Sequence, residues 1–75
     1  MEIIGKVVEI EKQGAEIYFL ITLIGSKKSE EVIVNTKDSQ FIMFLMTALT
    51  HNLEVVVGYN KAYFNILSVS IKHKK

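Results

Sequence analysis

The stretch SQFIMFLMTALTHN, residues Ser39 to Asn52, separates two groups of strand-like segments and decides the fold. It holds good helix formers and neither Gly nor Pro. Asp38 or Ser39 can accept a hydrogen bond from the free N–H groups of a first helical turn. We therefore predict a helix of about three turns that contains Phe41 to Thr50.

The segments on either side of this helix are rich in β-branched residues and are separated by short polar turns. We predict five strands: Ile3 to Glu11, Glu16 to Ile24, Glu30 to Asn35, Leu53 to Tyr59 and Ala62 to Lys72. The second is apolar on both of its faces, which indicates a strand covered on both sides. Gly5 is expected to form a bulge. The predicted turns lie at Lys12 to Ala15, Gly25 to Ser29 and Asn60–Lys61.

The order of these elements is strand, strand, strand, helix, strand, strand. A mainly β, five-stranded antiparallel Greek-key barrel with its helix between strands three and four is the OB-fold arrangement. An α+β roll has a similar element order and is the alternative. The sequence has no internal repeat, linker or low-complexity segment, so we expect one OB-fold-like domain over residues 1–75.

The composition limits how so small a domain is stabilised and what it binds. Of the 75 residues 49% are hydrophobic, there is no Cys, and the net charge is +1. Without a disulfide or a Cys–His zinc site, oligomerisation is the remaining support for a marginal core. All nine basic residues are Lys, so the bidentate Arg contacts favoured in nucleic-acid recognition are lacking. No apolar run approaches the ~20 residues of a membrane span.

The predicted helix is apolar over more of its surface than packing on one side requires. At ~100° per residue, Phe41, Leu45, Ala48 and Leu49 share one face, which we assign to the core. Ile42, Met43 and Met46 lie further round, and we predict that they form an interface between copies of the chain. Burial under the domain's own loops is the alternative. A membrane-surface helix is disfavoured because no Lys lies between Ser39 and Asn52.

Two sets of short motifs resemble the receptor-binding B subunits of pentameric bacterial toxins of the Shiga and cholera type. The Shiga-type subunit has counterparts of Gly5-Lys6-Val7, of Gly25-Ser26-Lys27, and of Asn35, Asp38 and Gln40 at the helix entry. The cholera-type C-terminus is similar to Asn60-Lys61 followed by Val69-Ser70-Ile71. The similarity covers nearly the whole chain, with gaps on the Shiga side and without a gap on the cholera side.

The resemblance implies an OB barrel, a ring of five copies with the helices lining its centre, and a glycan ligand. The cholera-type Asn and Lys that bond sugar hydroxyls correspond to Asn60 and Lys61. The Trp that stacks on the sugar corresponds to Gly58, and the neighbouring Tyr59 is the candidate aromatic ring. The resemblance implies a secreted protein, whereas a true start at Met1 would indicate a cytoplasmic one.

Other kinds of site find less support in the sequence. The only histidines, His51 and His73, are far apart and lack further ligands at metal spacing, so we expect no metal or other cofactor. No nucleophile–base–acid set can be assembled, so we expect no enzyme. A small intracellular single-strand nucleic-acid-binding OB protein is the alternative function. Its candidate base-stacking rings are Tyr18, Phe19, Tyr59, Tyr63 and Phe64.

Overall fold

A computed structural model describes residues 1–25 and 30–72 of the chain. The elements are β1 (Glu2–Gln13), β2 (Glu16–Leu23), β3 (Glu31–Thr36), α1 (Ser39–His51), β4 (Glu54–Tyr59) and β5 (Ile66–Ile71). The predicted fold class is confirmed, because five antiparallel strands form one sheet and the helix lies between β3 and β4. Most of the predicted turn at Gly25 to Ser29 lies outside the described residues, and so does His73.

The sheet has the strand order β3-β2-β1-β4-β5, and its two edges meet at one point. An isolated parallel bridge joins Asn35, near the end of β3, to Asn65, just before β5. The Asn35 N–H donates to the Phe64 carbonyl at 2.9 Å, and its side-chain Nδ2 donates to the Tyr63 carbonyl at 3.1 Å. The sheet is thus a partly open barrel, as OB-folds are.

The core fills this barrel from the inward face of each strand and from one face of α1. Leu45 and Ala48 of the helix are fully or almost fully buried and close one end. Complete burial of a large apolar side chain such as that of Leu45 stabilises the folded state by roughly 1.5–3 kcal/mol. The other fully buried large side chains are Phe19, Ile21, Val34, Val55 and Val57.

Both ends of α1 are fixed by local hydrogen bonds. Asp38 is the N-cap, and its Oδ1 accepts from the Gln40 N–H at 2.8 Å. The Asp38 N–H in turn donates to Oγ1 of the buried Thr36 at 3.0 Å, which joins the cap to the end of β3. At the other end Asn52 adopts the left-handed conformation and its N–H donates to the helix carbonyls. Of the two caps considered from the sequence, the helix uses Asp38.

Two local predictions about the strands were wrong. The bulge lies between Val7 and Glu9, not at Gly5, which pairs regularly with Leu23 and Val55. The last strand begins at Ile66 instead of Ala62, and residues 60–65 form a loop. That loop is held by the contacts from Asn35, which the local sequence pattern does not reveal.

Gly5 is required by close packing between β1 and β2. A Cβ at this position would overlap the Thr22 carbonyl oxygen and lie 2.8 Å from Cγ2 of Ile21. We expect Gly5→Ala to lower the free energy of unfolding by about 1–3 kcal/mol, measured by denaturant titration.

Gly58→Ala is the matched control for this substitution. Its Cβ would meet mainly the Ser68 hydroxyl, which can rotate away. We expect a smaller loss there, and equal losses for the two variants would contradict the backbone overlap assigned to Gly5.

Candidate functional site

The loop between β4 and β5, residues 60–65, contains two of the three residues predicted to bind a ligand. Asn60 organises this β4–β5 loop: its Oδ1 accepts from the Ala62 N–H at 2.8 Å, and its carbonyl accepts from the Phe64 N–H at 2.6 Å. Its own N–H donates to the Asn65 carbonyl at 2.9 Å. The Asn60 side chain therefore stabilises the loop through its hydrogen bond from the Ala62 N–H.

The third predicted ligand residue, Tyr59, points into the barrel and is only 4% exposed. Its ring stacks on that of Phe64, with centroids 5.6 Å apart, and its hydroxyl lies 3.4 Å from Sδ of Met1. The Met1 carbonyl accepts from the Tyr59 N–H at 2.8 Å. Tyr59 thus anchors the N-terminus and the loop.

The β4–β5 loop presents other side chains to solvent. Lys61 is exposed, and Tyr63 is 76% exposed. Phe64 has a φ of 60°, a left-handed conformation that is unfavourable for a bulky residue, and the Tyr59 stack and the bond to Asn35 hold it there. The result is an exposed aromatic ring and an exposed cation on a loop fixed to the barrel.

Asn35, which holds this loop, pairs with Tyr18 of β2, and Tyr18 belongs to the outer face of β1, β2 and β3. A small cavity there is lined by Glu9, Glu11, Tyr18, Leu20 and Ile33. The bulge after Val7 places Glu9 opposite Leu20 and Glu11 opposite Tyr18, so carboxylates and apolar groups share one face. In OB-folds the surface of strands 2 and 3, with the adjoining loops, binds oligonucleotides and oligosaccharides.

The candidate stacking rings separate into two groups. Phe19 and Tyr59 are buried, whereas Tyr18 is half-buried and Tyr63 and Phe64 are exposed. Alternation along β2 predicts opposite faces for Tyr18 and Phe19. No sequence pattern indicates that Glu9 and Glu11 lie on the same face as Tyr18, because their position depends on the bulge at Val8.

The second candidate site is the outward surface of α1, which we call the α1 outer face: Gln40, Met43, Met46, Thr47 and Thr50. Met43 is 69% and Met46 49% exposed. Ile42, predicted to join them, is half-buried and packs against the core of its own chain. The structure therefore brings Met43 and Met46 together on the surface and turns Ile42 partly inward.

The threonines make the α1 outer face less polar than its sequence suggests. Oγ1 of Thr47 donates to the Met43 carbonyl at 2.9 Å, and Oγ1 of Thr50 donates to the Met46 carbonyl at 3.0 Å. Both hydroxyl donors are thereby satisfied within the helix. Together with the two methionines they give a surface with no charged side chain.

In residues 1–25 and 30–72 no three His, Asp or Glu side chains come together as metal ligands. No helix in those same ranges has the length and hydropathy needed to span a bilayer. Comparison of the chain with protein-family models, with curated proteins and with solved structures gives no match.

One titratable group in the described ranges shows a clear change of pKa. The Tyr18 hydroxyl donates to Oε2 of Glu16 at 3.1 Å, and this hydrogen bond raises the pKa of Tyr18. The negative charge of the same carboxylate adds to the effect. Lys37 lies 3.9 Å from the other carboxylate oxygen, in an exposed pair that contributes little to stability.

We expect Glu16→Gln to lower the pKa of Tyr18 toward the usual value of about 10, because the substitution weakens the hydrogen bond that holds the phenol proton and removes the charge that disfavours the phenolate. NMR titration of the Tyr18 ring measures this. Since the folded state favours the neutral phenol, this contribution to stability is present below pH ~10 and is lost as the pH rises through the folded-state pKa. Glu2→Gln, at the opposite end of β1, should leave the Tyr18 titration unchanged. An unchanged titration in Glu16→Gln as well would contradict the assigned cause.

Proposed function

We propose that this chain is a non-catalytic binding subunit that self-associates through α1 and its strand edges and binds a glycan or another polar ligand. The observation that carries the proposal is the α1 outer face, with two exposed methionines, two internally bonded threonine hydroxyls and no charge. Depletion of charge and enrichment in Met are typical of interface cores. The likeness to toxin B subunits suggests a ring of five copies.

The energetics favour self-association for a domain of this size. Burial of Met43 and Met46 contributes roughly 1.5–3 kcal/mol each before the costs of association. A net stability of only 5–15 kcal/mol is usual for a domain, so such a contribution is substantial. Assembly would therefore also stabilise the fold.

The proposed ligand surface combines the β4–β5 loop with the outer face of β2 and β3. Tyr63 offers an exposed ring, and Lys61 offers hydrogen-bond donors to hydroxyl groups. A sugar, with an apolar ring face and several hydroxyls, suits such a surface. Tyr59 and Asn60 would act indirectly, by fixing the loop.

Single-stranded nucleic acid is the second candidate, because Tyr18 and Tyr63 stand beside the surface that OB-folds use for oligonucleotides. The carboxylates of Glu9 and Glu11 oppose it, since they lie on the same face as Tyr18 and would repel phosphates. This charge distribution favours an uncharged polar ligand.

For assembly, we expect Met43→Glu to reduce the native mass from a multiple of 8.5 kDa to that of one chain, measured by light scattering. The reason is that the variant would bury unpaired like charges where copies meet. Val8→Glu is the matched control and should leave the native mass unchanged, because Val8 is also exposed (48%) but lies on β1, the middle strand of the sheet. Wild-type protein that stays a well-folded single chain at high concentration would refute the proposal.

For ligand binding, we expect Lys61→Ala and Tyr63→Ala each to reduce the signal on a glycan array at least ~10-fold, the effect of about 1.4 kcal/mol. Lys12→Ala, on an exposed part of β1, is the control. Micromolar binding to an oligonucleotide that weakens steeply with salt would instead support the nucleic-acid function.

A further inference from the structure

The outer edge of β5 has the features of a strand that pairs with another chain. β5 is the last strand of the sheet, and in residues 1–25 and 30–72 its other side meets a strand only at the Asn35–Asn65 bridge. Natural edge strands are usually protected by charge, Pro or a short length. The six residues of β5, ILSVSI, contain neither a charge nor Pro.

The alternation of hydrogen-bonded positions along β5 shows which of its backbone groups face away from β4. The Lys72 N–H donates to the Glu54 carbonyl of β4 at 2.9 Å. In an antiparallel pair the bonded positions alternate, so Ser70 and Ser68 also face β4. Val69 and Ile71 therefore direct their N–H and C=O groups to the open edge.

The sequence of this edge is self-complementary. In both directions residues 67–71 have the order apolar residue, Ser, Val, Ser, apolar residue. A two-fold axis through Val69 places Ser68 opposite Ser70 of a second copy, and Leu67 opposite its Ile71. In such an antiparallel pair serines lie opposite serines on one face and apolar residues lie opposite apolar residues on the other, as in an isologous contact.

A groove beside β5 would receive the apolar side chain that this pairing brings. Met43, Phe44 and Thr47 of α1 line an open groove of about 400 Å³ together with Gln40 and with Ile71. Leu67, which the register shift between β4 and β5 leaves without a partner on β4, is 59% exposed and would lie opposite Ile71 across the two-fold axis. The groove and the exposed leucine thus fit each other in two copies of the same chain.

We propose that two copies of this chain pair through β5, antiparallel and centred on Val69, with Leu67 of each in the α1–β5 groove of the other. The inference rests on the proposed self-association and names its contact. A two-fold contact gives an even number of chains, either as a dimer or as two rings joined face to face.

Cross-linking tests the register, since the chain has no Cys of its own. In the proposed pair positions 68 and 70 of two copies are directly opposite, at a separation that a disulfide can join, whereas two copies of position 68 lie diagonally, ~7–8 Å apart. The Ser68→Cys and Ser70→Cys proteins are unfolded together, refolded and oxidised.

We expect a disulfide-linked dimer from the mixture, and at least ~10-fold less from either variant alone. Lys12→Cys, mixed with Ser68→Cys, is the control, because Lys12 is exposed on β1 and lies outside both α1 and β5. Equal cross-linking in all samples, or none in the mixture, would overturn the β5 pairing.

Charged substitutions at positions 68 and 70 give a second, independent readout. Ser68→Glu/Ser70→Glu places like charges opposite each other and should halve the native mass, whereas Ser68→Lys/Ser70→Glu places opposite charges together and should retain it. Equal masses for the two variants would overturn the pairing. A wild-type mass of five chains would also overturn the β5 pairing but would support self-association. A wild-type mass of one chain would overturn both proposals.

Discussion

The structure depends on the way the sheet closes, which within the described residues happens where Asn35 meets the β4–β5 loop. A backbone bond to Phe64 and a side-chain bond to Tyr63 hold the two ends of the five-stranded sheet together. Beyond this point β3 leads into the cap of α1, and β5 continues without a strand neighbour on its outer side within the described residues. The helix packs against β1 and β5 and covers the open end of the barrel.

This partial closure explains why α1 has apolar groups on two sides. Leu45 and Ala48 fill the end of the barrel, which accounts for one face. Met43 and Met46 are exposed, and the groove that Met43 lines extends to Ile71 of β5. The surplus apolar surface and the open strand edge lie side by side, so one contact between copies could cover both.

The same closure decides which residues are available to a ligand. The sequence directs attention to Tyr59, Asn60 and Lys61, but the fold uses Tyr59 to anchor Met1 and Phe64, and Asn60 to shape the loop. Tyr63, a few residues further on, is the more exposed of the two rings in the loop, at 76% against 42% for Phe64. No local pattern could reveal this, because the strand after Asn60 is replaced by a loop through hydrogen bonds to a residue 28 positions away.

The sequence by itself determined the element order, the fold class, a helix start capped by Asp38 or Ser39, and the buried face of α1, since these follow from local hydrogen bonding and periodicity. Only the tertiary structure decided the bulge at Val8, the late start of β5, the inward position of Tyr59 and the partial burial of Ile42. These features depend on strand register and on contacts between distant segments, for which a period of 2 or 3.6 residues carries no information.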